Sequence, residues 1–252
     1  MPSVSPKVRS RAGLALLFLL GAAGLFWITL PSAKRLRTTN PASTALIEAR
    51  AREAKERGRP PRRNQHWVPL SHISPWLQRA VVNSEDARFF EHDGIDMEQT
   101  KIALTSAVED GRFTRGASTI TQQLAKNLWL GEERTLWRKA REAILARRLE
   151  TLGKPRILEL YLNVVEWGDG IYGADAAARV WFEKPASDLL PEEAAVLAAM
   201  LPAPRKRNPR EPSKALRRRA RQVLTLFGLN NELTPDELTE ARWRLDGILR
   251  SP

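Results

Sequence analysis

Glu85-Asp86-Ala87-Arg88-Phe89-Phe90-Glu91-His92-Asp93-Gly94 sets a run of acids against two aromatic rings and closes on a glycine. Just upstream, Ser74-Pro75 offers an N-cap and a proline at the first helical position, leading into Trp76 to Ser84. The acids therefore fall at the end of a helix. A carboxyl held against aromatic rings is pushed toward neutrality, because burial disfavours its charged form, and such a group suits general-base work. The same composition also describes a solvated acidic turn before Gly94, and His92 alone reads as a structural hydrogen-bonding residue.

Working outward, Arg115-Gly116-Ala117-Ser118-Thr119-Ile120-Thr121-Gln122-Gln123-Leu124-Ala125-Lys126-Asn127 opens a second helix. Gln123, Lys126 and Asn127 stand at i, i+3 and i+4, so they share one face. That face offers hydrogen-bond donors and a cation, as an anionic or sugar-bearing ligand requires; a polar helix start is the plainer reading. Next, Arg134-Thr135-Leu136-Trp137-Arg138-Lys139-Ala140-Arg141-Glu142 places Arg138 and Lys139 within one turn of Glu142. Taken alone, this spacing predicts ordinary surface ion pairs worth a few tenths of a kcal/mol.

From Trp67 onward nearly every segment reads as helix. A long amphipathic helix is predicted over 134–152 with Gly153 closing it, a buried helix over 191–200, and a capping box at Thr234-Pro235-Asp236-Glu237. No repeat and no sustained strand alternation interrupts them, so the class is mainly α. Residues 43–57 read as a charged, exposed helix ended by Gly58 and Pro60-Pro61.

The 252-residue chain has 42% apolar residues, enough for one ordinary domain, and no cysteine, which excludes disulfides and thiolate metal sites. The net charge of +12 is unevenly spread. Residues 1–63 hold 13 Lys/Arg against 3 Asp/Glu, and residues 202–221 hold 9 against Glu211 alone. The rest is slightly acidic. A nucleic-acid-binding domain carries its positive field on its folded body; this distribution instead suits anionic lipid or a pyrophosphate, and no nucleic-acid partner is expected.

Ala12 to Leu30 is nineteen residues without a charge. At ~1.5 Å per residue it just spans a ~30 Å hydrocarbon core. The run is longer than a usual signal-peptide core, and Pro31 to Arg35 makes a poor cleavage site, so an uncleaved anchor is predicted. Lys7, Arg9 and Arg11 are matched by Lys34, Arg35 and Arg37, so charge alone does not set orientation. The expected division is a tail over 1–11, a transmembrane anchor over 12–30, a charged stalk over 31–65 and a catalytic domain over 66–252.

Glu-Asp-x-x-Phe-x-x-His-x-Gly (85–94) and Gly-x-Ser-Thr-Ile-Thr-Gln-Gln-x-x-Lys-Asn (116–127) resemble the first two motifs of the family 51 peptidoglycan glycosyltransferases. A third resembles Arg138-Lys139-x-x-Glu142-x-x-x-Ala146-x-x-Leu149-Glu150. A fourth resembles Ile157-Leu158-Glu159-x-Tyr161-Leu162-Asn163 followed by Gly168, Gly173 and Ala176 to Phe182, and a fifth Glu193-x-Ala195-x-Leu197-Ala198 with Pro202, Pro204 and Pro209. They keep the family's order over 67–209. Asp169, Trp181 and Leu190 depart from the residues common there, proline, tyrosine and threonine, all at scaffold positions.

The resemblance implies a lysozyme-like lobe with a smaller membrane-associated lobe, to which Met97, Ile102, Leu104 and Val108 would belong. It implies polymerisation of lipid II into β-1,4 glycan by an inverting transfer, in the periplasm, on the outer face of a bacterial inner membrane. Glu85 resembles the general base with Asp86 as its helper, and Glu142 the second essential carboxylate, beside a pyrophosphate-bound divalent cation (Mg²⁺ or Mn²⁺). Lys126, Arg134 and Lys139 resemble the cations that hold the pyrophosphate, and Ser118, Gln123 and Asn127 the donor-site hydrogen-bonding positions. Expected partners are lipid II and the growing strand, inner-membrane lipids, penicillin-binding proteins and the division or elongation machinery. No Ser-x-x-Lys, Ser-x-Asn or Lys-Thr-Gly motif follows Pro209, so no transpeptidase activity is expected. A lytic enzyme on the same scaffold would not need the Lys126, Arg134, Lys139 cluster, and an inert scaffold would not need both Glu85 and Glu142.

Overall fold

The computed structural model describes residues 29–110, 118–131, 133 and 135–250, with isolated positions 21 and 26. The chain divides into two compact units, Met1–Ser32 and Ala33–Pro252. The predicted anchor at 12–30 falls almost wholly outside the described residues, and among those described no helix is long and apolar enough to cross a membrane.

The second unit is mainly helical, as its sequence rhythm predicts. Ten α-helices are described in it: α1 Ala45–Glu56, α2 Pro75–Glu85, α3 Met97–Asp110, α4 Ile120–Trp129, α5 Leu136–Leu149, α6 Lys154–Val164, α7 Ala174–Phe182, α8 Pro191–Met200, α9 Lys214–Leu229 and α10 Pro235–Ile248. Caps set many of the boundaries. Ser74, Thr119, Thr135, Ser213 and Thr234 each accept a backbone N–H of the first turn, and Thr119–Gln122 and Thr234–Glu237 form reciprocal capping boxes. The helix predicted over 134–152 is α5 plus a 3-10 turn at Glu150–Leu152, closed by Gly153 at φ 83°.

Two helix groups pack against each other. One centres on α8, whose ten residues are all buried and whose alanines let α2, α9 and α10 approach closely. A helix apolar all round belongs in a core. The other centres on α4, packed by α1, α5 and α6. A small three-stranded sheet, β1 Asn64–Gln65, β2 Glu166–Gly168 and β3 Ile171–Tyr172, runs in the order β1-β3-β2. β1 pairs parallel to β3 and β2 antiparallel to it. Asn163 ties this edge together: its amide exchanges two 2.9 Å bonds with the Val68 backbone, and its own carbonyl accepts from Gln65 at 2.8 Å.

Residues 33–65, read from sequence as part of a charged stalk, lie in the same compact unit as the helices above. Within α1, Ile47 is buried, and Arg50 reaches the buried Glu166 at 3.1 Å. Arg63 donates to the Ala42 carbonyl, and Leu36 is buried. A helix so rich in charge reads as solvated because what docks it is remote in the chain: it packs on α4, and Arg50 and Glu53 pair with Glu166 and Arg205, more than a hundred residues away.

Candidate active site

Glu85 is the last residue of α2, where the α8 group meets the α4 group. Its side chain is only 12% exposed. Oε2 accepts from Gln123 Nε2 on α4 at 3.1 Å, and Oε1 lies 3.7 Å from the Arg219 guanidinium on α9. Burial holds this carboxyl above its ordinary value, opposed by the Gln123 hydrogen bond and by Arg219 and Arg207, and reinforced by the adjacent Asp86. The direction agrees with the sequence reading, but the cause is packing between helix groups. The rings are engaged elsewhere: Phe89 is fully buried with the Lys154 ammonium 4.6 Å from its centroid, and Phe90 is exposed.

Asp86 is tied into the fold beside Glu85. Its carboxylate accepts the Ile120 backbone N–H at 2.9 Å and meets His92 Nε2 at 3.0 Å, so it fixes the N-terminus of α4 beside Glu85. Thr119 adds a second tie, donating to the Gly94 carbonyl at 2.7 Å. Gly94 has φ 83°, and a Cβ there would stand 3.1 Å from the Ala146 backbone of α5, so only glycine lets this turn approach. The acidic cluster thus turns back onto the helices that carry the second and third motifs.

Glu142 is buried at 3% exposure and is ion-paired to both Arg138 and Lys139. The local spacing predicted these partners; the burial was not legible, and it makes the pairs far more than surface contacts. Lys139 also donates to Ser118 Oγ at 2.9 Å. Ser118 and Glu85 both line two adjoining cavities, one of about 450 Å³ with Gln123, Arg207, Arg218 and Arg219, the other of about 190 Å³ with Asp86, Arg88 and Asp96. Ser118 therefore connects the Glu85 cleft to the Lys139–Glu142–Arg138 network. Lys126 is half-buried and Asn127 buried on α4, and neither lines these two cavities. Arg134 lies outside the described residues.

Arg207 and Arg219 were missed as individuals, although the basic stretch that contains them was noted. One signal was present: Leu216, Ala220, Val223, Leu224 and Phe227 form the buried face of α9, and Arg219, three residues after Leu216, falls beside it. A cation at the edge of a core-facing stripe has a carboxylate to meet.

The transglycosylase family model matches residues 52–227, a span that holds all of these groups. The chain belongs to the transglycosylase family. Three similar proteins carry the name biosynthetic peptidoglycan transglycosylase. That of Laribacter hongkongensis is 44% identical over 79% of this chain and 86% of its own. The one from Azoarcus sp. is 51% identical over 68% and 74%, and that of Alcanivorax borkumensis 45% identical over 86% and 85%. The family match thus runs from within α1 to the arginines of α9.

The donor set does not fit a resident divalent metal. Among the described residues no group of three His, Cys, Asp or Glu side chains could hold one, and both Glu142 oxygens are already taken by cations.

Proposed function

We infer that the chain is a peptidoglycan glycosyltransferase that polymerises lipid II into linear β-1,4 glycan, releasing undecaprenyl pyrophosphate. The observation that carries the mechanism is Glu85: a desolvated carboxylate in a cleft, held by an amide donor and faced by arginines. Glu85 takes the proton from the acceptor's 4-hydroxyl as that oxygen bonds to the donor's anomeric carbon. The bond from that carbon to the pyrophosphate oxygen breaks, configuration inverts, and the leaving group departs with the extra charge. Lys139, steered by Glu142 and bonded to Ser118, meets that charge together with Lys126 and Arg134. Glu142 acts in this scheme by aiming cations, and no step passes through a metal ion.

The site of action is the cell envelope. A single-pass inner-membrane protein with its catalytic unit in the periplasm is the topology this substrate requires, with residues 12–30 as the anchor. The exposed Phe90, Met97, Ile102, Leu136 and Trp137 would face the lipid surface as part of the membrane-associated lobe beside a lysozyme-like one.

Polymerisation of purified lipid II by the full-length chain in detergent tests this reading. Wild type should make long glycan, and Glu85→Gln should lose at least ~10²-fold in rate, the scale of a lost general base. Polymer from Glu85→Gln at the wild-type rate would exclude Glu85 as the base, and shortening of pre-made glycan would point to a lytic enzyme.

A further inference from the structure

Tyr161 on α6 is fully buried, and its hydroxyl donates to Gln123 Oε1 at 2.9 Å. Gln123 in turn donates from Nε2 to Glu85 Oε2 at 3.1 Å. The three groups come from three helices, α6, α4 and α2. A primary amide has two ends of nearly equal size and opposite polarity. Turned over, Gln123 would set its carbonyl against the Glu85 carboxylate, acceptor against acceptor. A phenol proton bonded to the carbonyl end selects the orientation that gives Glu85 a donor.

We propose that Tyr161 is a positioning residue for the reaction, locking the Gln123 amide so that its NH₂ faces the ionised Glu85. The proposal rests on the reading of Glu85 as the general base. Burial, with Glu85 and Asp86 nearby, holds the phenol well above its ordinary value, so its proton stays available to Gln123. The charged groups that face Glu85 are Arg219 and Arg218 from α9, Arg207 from the segment after α8, and the adjacent Asp86; Tyr161 and Gln123 supply the neutral side. Gln123 opposes the effect of burial on the carboxyl. Losing its fixed orientation moves the Glu85 titration further up, and the base is then protonated at pH values where the wild type is active.

The experiment measures kcat and KM for lipid II against pH in full-length wild type, Tyr161→Phe, Gln123→Leu and the double variant, with thermal melts as a folding control. Tyr161→Phe should move the acidic limb of kcat/KM upward by roughly one pH unit, a drop of about tenfold below the limb, with KM held within about twofold. In the Gln123→Leu background, Tyr161→Phe should add nothing, since both act through one amide. A wild-type pH profile in Tyr161→Phe overturns the proposal, as do equal losses in both backgrounds. If Tyr161→Phe does not fold, Gln123→Leu alone must still raise the acidic limb, and an unmoved limb counts against it. Glu85→Gln separates the two claims. Full activity in that variant removes the base and the positioning role together, whereas an inactive Glu85→Gln beside an unshifted Tyr161→Phe removes only the latter.

Discussion

Glu85 is a residue whose working state opposes the stability of the fold. Its carboxyl is buried and titrates above the ordinary value of 4.5. Below that value both folded and unfolded chains carry it neutral, and it contributes no difference. As pH rises through the ordinary range the unfolded chain ionises first, so stability is lost until the raised folded value is passed. Glu85→Gln removes this penalty. Thermal melts should show equal midpoints for the two proteins near pH 4 and a higher midpoint for the variant at neutral pH. Equal midpoints at both pH values would exclude the burial penalty. Glu85, Gln123 and Lys139 were legible in the sequence because their motif spacing put them on helix ends and faces. Tyr161 was visible only as a motif letter, because its hydroxyl meets Gln123 across 38 residues of chain. Asp86 takes its helper role from the motif resemblance, while its bond to the Ile120 N–H, 34 residues away, carries no local signature.

Among the elements, the caps read from sequence at Ser74 and Thr234 open α2 and α10, and α8 shows what a missing cap leaves behind. Glu193 accepts the Leu190 N–H at 2.8 Å, so half of a capping box exists. Leu190 has extended backbone (φ −82°, ψ 164°) suited to an N-cap and is 42% exposed, but its side chain has no acceptor to return. Leu190→Thr should therefore stabilise the protein by about 0.5–1 kcal/mol, seen as a higher urea midpoint with unchanged slope. No gain would mean that the first-turn amides of α8 are already satisfied.

For the whole molecule, the ties that fasten α1 to the rest of the folded unit include its packing on α4 and the ion pairs Arg50 to Glu166 and Glu53 to Arg205. Glu166 is 3% exposed beneath Arg50, so Arg50→Ala leaves a carboxylate in the interior without this cation. Loss of a buried partner costs on the order of 3 kcal/mol. A drop of that size in urea-measured stability is expected, against a fraction of it for Arg57→Ala, whose side chain is 55% exposed in its pair with Glu53. Similar small losses from both would mean that the Arg50–Glu166 pair contributes little to the docking of α1. The sequence could not separate these arginines, since burial depends on the fold that receives them.

The two ties that close the acidic turn, Asp86 to Ile120 and Gly94 to Thr119, also bracket everything between Gly94 and Thr119. Both ends of that stretch are thus fixed to the body beside Glu85, and they carry Asp96 and Ser118, which line its cavities. Loop closure grows slowly with length, about 0.6 kcal/mol for each doubling. Short of a doubling in length, a change within the stretch would therefore alter the cost of holding the two ties by less than about 0.6 kcal/mol.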